Sequence, residues 1–177
     1  MQGEGASRTL RVFTREQAEQ PRQAWHVSDE HQLAAFSKQP VLHPLRWIRR
    51  LKSALANVRV ILADPVGSAL ADWIETGTLG PDGAYAVEGI GGSEVPQNLH
   101  RDVIDGVERV SDEDSFAMVK RLLREEGLYV GGSAGTNVVA ALRIAARGEL
   151  DGPVVTVLPD SWDRYRTQPW MQGWSVS

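Results

Sequence analysis

Residues 127–138 read GLYVGGSAGTNV, and they gather the types that could do chemistry: glycines at 131, 132 and 135 around the hydroxyl of Ser133. Apolar Leu128, Tyr129 and Val130 lead in and an apolar-periodic helix over Asn137 to Ala146 leads out, so the spacing predicts strand, tight turn, helix. Glycines at such a turn permit positive φ and let a ligand approach the backbone closely. The first N–H groups of the helix are unpaired and point outward, so a polar or anionic ligand fits against them. Ser133 adds one hydroxyl, able to donate or accept a hydrogen bond at the floor of the cradle. Gly131-Gly132-Ser133-Ala134-Gly135 also satisfies the G-x-S-x-G elbow of serine hydrolases. That chemistry requires a histidine after the serine in chain order, and His26, His31, His43 and His100 all lie before it.

Other elements must position this turn. Val58 to Ala63 alternates and ends at Asp64-Pro65, which predicts a buried strand and a turn; Asp64 there is either a ligand-binding carboxylate or a turn initiator. Ser68 to Glu75 reads as a short helix capped by Ser68 and stopped by Gly77. Tyr85 to Glu88 leads into Gly89-Ile90-Gly91-Gly92, where the backbone must bend sharply or admit a ligand. Leu99 to Ile104 reads as extended and Val107 to Val110 as a short strand. A helix over Ser111 to Glu126 follows, with Asp112, Glu113 and Asp114 capping its positive end rather than forming a metal site. Its buried stripe is Phe116, Val119, Leu122 and Leu123, and Gly127 ends it. Val154 to Leu158 is the continuous apolar run of a strand covered on both faces. Pro159, Asp160 and Ser161 then stand where open α/β sheets hold ligands, so the strand ends after Val130 and Leu158 should meet one pocket. Trp162, Tyr165, Trp170 and Trp174 beyond are expected to pack on the domain or on a partner subunit.

The first 57 residues differ in kind. They hold nine basic against five acidic residues, two of the seventeen glycines and three of the four histidines, whereas the remainder carries ten basic against eighteen acidic. Residues 1–44 have weak periodicity and predict disorder or a marginal helix, with a capping box at Thr14 to Gln17 opening a polar stretch to Ala24. Leu45, Ile48, Leu51 and Leu55 mark an amphipathic helix whose basic face is read as solvated. The histidines have no metal-binding spacing. A formal net charge of -4 gives no electrostatic reason for nucleic acid, no cysteine is available for thiolate chemistry, and no apolar run reaches the roughly 18 residues of a membrane span. The expected location is the cytoplasm.

From about Val58 to Trp170 the chain resembles the C-terminal part of the pyridoxal-phosphate enzymes of the cysteine synthase and cystathionine beta-synthase group. The resemblance lies in VRVILADPVGSAL (58–70), VEGIGGSEVP (87–96), DEDSFAMVKRLLREEGLYVGGSAGTNVVAAL (112–142) and VVTVLPDSWDRY (154–165). It implies an α/β fold, part of an open twisted sheet with flanking helices as in tryptophan-synthase-beta-like enzymes of fold type II. It implies pyridoxal 5'-phosphate as cofactor, with Ser133 on the pyridine nitrogen, Gly132, Pro159 and Asp160 beside it, and Gly89, Ile90 and Gly91 on the substrate side. It implies beta-replacement in sulfur amino acid metabolism on an amino acid such as serine or O-acetylserine, with a thiol or sulfide as nucleophile.

Some family features have no counterpart. HPLRWIRR (43–50) stands where the family carries a Gly- and Thr-rich phosphate turn, and Lys38, Lys52 and Lys120 match no cofactor-bearing lysine motif. Where cystathionine beta-synthases commonly present a tyrosine over substrate, Gly92 offers only hydrogen. The expected organisation is an atypical segment over 1–57 and the C-terminal portion of a catalytic domain over 58–177. The expected state is a truncated, catalytically incomplete form without a catalytic residue or metal of its own, partnered by a second copy or by a complementary N-terminal half. One chain of a split enzyme, or a non-catalytic binding module, are the alternatives.

Overall fold

The structure is a computed structural model and describes residues 11–13, 33–36, 44–55, 57–150 and 152–172. Five parallel strands, β1 (Arg11–Phe13), β2 (Leu33–Phe36), β3 (Arg59–Pro65), β4 (Gly106–Val110) and β5 (Val154–Val157), form one sheet in the order β1-β5-β2-β3-β4. The helices are α1 (Pro44–Ala54), α2 (Leu70–Thr76), α3 (Asp112–Glu126) and α4 (Gly132–Ala146). This is the α/β sheet with flanking helices that the sequence predicts.

β3 reads almost wholly apolar because both of its faces are covered. Ile61 and Ala63 pack under α4 with Val154, Val110, Ala140 and Ala141, while Val60 meets Ile48 of α1 and Val103 on the other face. Val60 and Val110 are fully buried, each worth roughly 1.5–3 kcal/mol relative to exposure. α3 caps with Ser111, whose Oγ accepts from the Asp114 N–H at 3.1 Å, and ends at Gly127 with φ 68°. Its Val119 and Leu122 pack on Ala134 and Val138 of α4. α4 is buried on every side from Gly132 to Ala141, which its run of small residues allows.

Several elements differ from the sequence expectation. β1 and β2 come from the segment expected to be disordered or helical; strands of three and four residues are too short to show a period, and their partners β3 and β5 are distant in sequence. The helix proposed over Thr14 to Ala24, together with His26, His31, Lys38 and Trp174, lies outside the described residues. Leu128 to Val130 is no strand: only Val130 makes a bridge, antiparallel, to Ser161. Residues 101–103 form a 3-10 turn instead of extended chain. α2 begins at Leu70, with Ser68 Oγ accepting the Leu70 N–H at 3.2 Å from two residues upstream, and closes at Gly77 as expected. α4 starts at Gly132, so the glycine cradle is the first helical turn itself.

Gly135 sets how closely α3 and α4 approach. A Cβ there would collide with the Ser115 carbonyl oxygen and lie 2.9 Å from Val119 Cγ2. Gly135→Ala is therefore expected to cost about 1–3 kcal/mol by overpacking, read as a lowered urea midpoint with native far-UV circular dichroism below the transition. An unchanged midpoint would mean that the two helices can part without cost.

Candidate functional site

The N-terminal turn of α4 is built from contacts that only glycine permits. Gly131 is the cap, in extended conformation at φ -81° and ψ 174°. The positive-φ glycines of the described residues are elsewhere, so Gly131, Gly132 and Gly135 supply room and not left-handed backbone. A Cβ on Gly131 would strike Asp160 and the Tyr165 ring; one on Gly132 would lie 3.0 Å from Phe116 and 3.5 Å from Val87. The Gly131 carbonyl accepts from the N–H groups of Ala134 at 3.1 Å and Gly135 at 3.4 Å. The N–H groups of Gly132 and Ser133, at the first two helical positions, have no carbonyl within the helix to reach. Ser133 is 2% exposed, and its hydroxyl makes no hydrogen bond to another described residue.

The chain after β5 closes one side of this turn. The Gly131 N–H donates to the Asp160 carbonyl at 3.2 Å, and the Tyr165 hydroxyl donates to Asp160 Oδ2 at 2.5 Å. Asp160 Oδ1 is buried without a partner. Burial, and then Asp160, push the Tyr165 hydroxyl pKa up. Trp170 stacks on Phe116 with centroids 4.5 Å apart, and the Gln168 side-chain amide donates to Glu88 at 2.5 Å.

The glycine loop closes another side. Gly89 and Gly91 take φ values of 82° and 70°, so here glycine is required by handedness. A Cβ on Gly91 would also lie 2.7 Å from Pro65 Cγ and from the Tyr85 hydroxyl oxygen. Val87 and Ile90 are buried. Asp64, at the end of β3, is fully buried, with Oδ2 accepting from the Ala71 N–H at 2.9 Å and Oδ1 unpartnered. Loss of water pushes its carboxyl up to about 6, with Ser68, Ala71 and Arg109 acting in the opposite direction.

The ends of β3, β4 and β5 thus meet at one edge of the sheet, as open α/β sheets arrange their ligand crevices. Gly132, Ser133 and Asp160 are brought together there, Pro159 directly precedes Asp160, and the segment holding Gly89, Ile90 and Gly91 reaches them through Val87 and Glu88. Lys52 is on the opposite edge: its ammonium lies 2.6 Å from Asp105, whose carboxylate also accepts from the N–H of Val60 at the start of β3. From the sequence, Ser68 and Asp112 read as caps, Phe116 as part of a buried stripe, and Glu88 only as the lead into the glycine loop. Their contacts join residues 16 or more apart in sequence, and no local pattern signals them.

A family model described as pyridoxal-phosphate dependent enzyme matches residues 47–160. Cysteine synthase 1 of Emericella nidulans is 40% identical over 125 residues, which are 68% of this chain and 34% of that protein. Cystathionine beta-synthase of Apis mellifera is 38% identical over 120 residues, 68% of this chain and 23% of that protein. The crystal structure of O-acetylserine dependent cystathionine beta-synthase from Helicobacter pylori superposes with a TM-score of 0.64 at 34% identity, covering 77% of this chain and 42% of that one. The chain therefore spans about a third or less of the length of these curated relatives. No helix among the described residues is long and apolar enough to cross a membrane.

Asp64 gives the site a pH signature. Its folded pKa of about 6 exceeds the ordinary 3.8, so the fold favours the neutral acid. The corresponding stability is present in full below pH 3.8 and is lost as pH rises through about 6. Relative to Asp64→Asn, the native chain is expected to lose stability on the order of 3 kcal/mol between about pH 4 and pH 6 and to stay level above. Urea unfolding at stepped pH checks this; parallel curves for the two proteins would contradict it.

Proposed function

Because the chain belongs to the pyridoxal-phosphate dependent enzyme family, we propose that it contributes the C-terminal portion, residues 58–177, of a beta-replacement catalytic domain of the cysteine synthase or cystathionine beta-synthase kind. The family uses pyridoxal phosphate. The observation that carries the proposal is the buried Ser133 in the first turn of α4, where a side chain at Gly131 would strike Asp160 and Tyr165 and one at Gly132 would press on Phe116.

These residues fit the ring end of the cofactor. A heteroaromatic ring needs a group to meet its nitrogen and donors beside it, and the Ser133 hydroxyl and the free N–H groups of the first turn of α4 supply them. When bound, pyridoxal phosphate supplies an electron-withdrawing ring. A hydroxyl donating to the ring nitrogen leaves that nitrogen near neutral, which suits beta-replacement; a carboxylate in its place would hold it protonated. Pro159 and Asp160 then border the ring, with Asp160 fixed by Tyr165. Gly89, Ile90 and Gly91 form the substrate-side wall. Serine or O-acetylserine, with a thiol or sulfide, is the proposed substrate pair, and the cytoplasm the proposed compartment.

The described residues do not fit the other end of the cofactor. Residues 43–50 offer no glycine or threonine for a phosphate, and Lys52 is committed to Asp105 across the sheet. The cofactor-bearing lysine and phosphate turn therefore come from residues beyond those described, in this chain or in a complementary or second one.

Co-expression with the N-terminal portion of a cysteine synthase, carrying that lysine and turn, tests the reading. The pair is expected to copurify and to convert O-acetylserine and sulfide, and Ser133→Ala is expected to lower kcat/KM by roughly 10–100-fold, the worth of one hydrogen bond to a polar reacting group. A pair that binds cofactor and turns over with no response to Ser133→Ala would contradict the assignment.

A further inference from the structure

Residues 80–99 contain no helix or strand, so the loop they form has little backbone bonding of its own. Its two ends are nevertheless fixed. At the entrance, both oxygens of Asp112 accept backbone N–H groups, Ala86 at 2.7 Å and Val87 at 3.1 Å. At the exit, Ser68 Oγ accepts the Gly92 N–H at 3.1 Å and lies 3.3 Å from the Gly92 carbonyl, which also accepts from the Ala69 N–H at 3.0 Å. Between these ends Val87 and Ile90 are sunk into the protein, while Gly89 and Gly91 hold positive φ, a state that free glycine does not favour over its alternatives.

Asp112 is not needed as the side-chain cap of α3, because Ser111 fills that role. Its carboxylate is turned to a loop 25 residues upstream. We propose that Asp112 and Ser68 are positioning residues which clamp the 88–91 loop in a preformed shape beside the N-terminus of α4, ready to receive the amino acid substrate. This rests on the reading of that loop as the substrate-side wall. A loop already ordered when substrate arrives avoids an ordering cost on binding, so releasing it weakens substrate affinity more than it slows the chemical step.

Residue-resolved amide hydrogen exchange on the full 177-residue chain reads the clamp directly. Asp112→Asn is expected to accelerate exchange tenfold or more at Ala86, Val87 and the amides through Gly92, while Val119 and Leu122 in α3 stay unchanged. Ser68→Ala is expected to do so at Gly92. Glu113→Gln, an acid of the same helical turn that does not touch the loop, should leave all of them as they are. Acceleration confined to the first turn of α3, or spread evenly over the chain, would overturn the clamp and reduce Asp112 to a helix-end charge. In the co-expressed pair, Asp112→Asn should raise KM for the amino acid several-fold with kcat within about twofold. A loosened loop with unchanged KM overturns the substrate-positioning role. Failure of the unmutated pair to turn over at all would instead count against the proposed function, and the exchange data would still decide the clamp.

Discussion

The fold depends on one steric constraint, the missing side chains at Gly131, Gly132 and Gly135. Their absence lets the α3 backbone, the chain after β5 and the segment at Val87 close on the same helical turn. Adding one carbon at any of the three would displace a different neighbour. Close packing brings the polar consequences with it: Ser133 is buried, and Asp160 and Asp64 each keep a buried oxygen that the described protein atoms do not satisfy. Such groups are costly in an interior and tend to collect where a ligand completes them.

The elements around that turn were legible in the sequence to different degrees. β3, α3, the closing glycines at 77 and 127, and the apolar β5 declare themselves by local pattern and cap chemistry, and they stand where the sequence places them. The glycine cradle was legible as a feature but not as a shape. Its glycines were expected to provide turned backbone; instead Gly131 is an extended cap, Gly132 and Gly135 are helical, and all three provide clearance, a distinction that depends on Ser115, Phe116, Asp160 and Tyr165 arriving from elsewhere. Positive φ does occur at Gly89 and Gly91, in the loop where sharp bending was also expected.

What the sequence hid was long-range pairing. Asp112 in a first helical turn looks like any acid offsetting a macrodipole, and Ser68 before a helix looks like any cap. Their second partners, at 86–87 and at 92, cannot be read from spacing. β1 and β2 were missed for a similar reason, since parallel strands of three or four residues take their stability from neighbours far along the chain. Lys52 agrees with its sequence reading: it matches no cofactor-bearing lysine motif, and its ion pair with Asp105 holds it at the far edge of the sheet.

The central claim is that the Ser133 hydroxyl meets a neutral heteroaromatic nitrogen. The most direct measurement is the ¹⁵N chemical shift of ring-labelled pyridoxal phosphate bound to the complemented protein. The account predicts an unprotonated, hydrogen-bonded pyridine signal that moves when Ser133 is replaced by alanine. A protonated-ring signal that is the same with and without the hydroxyl would contradict it.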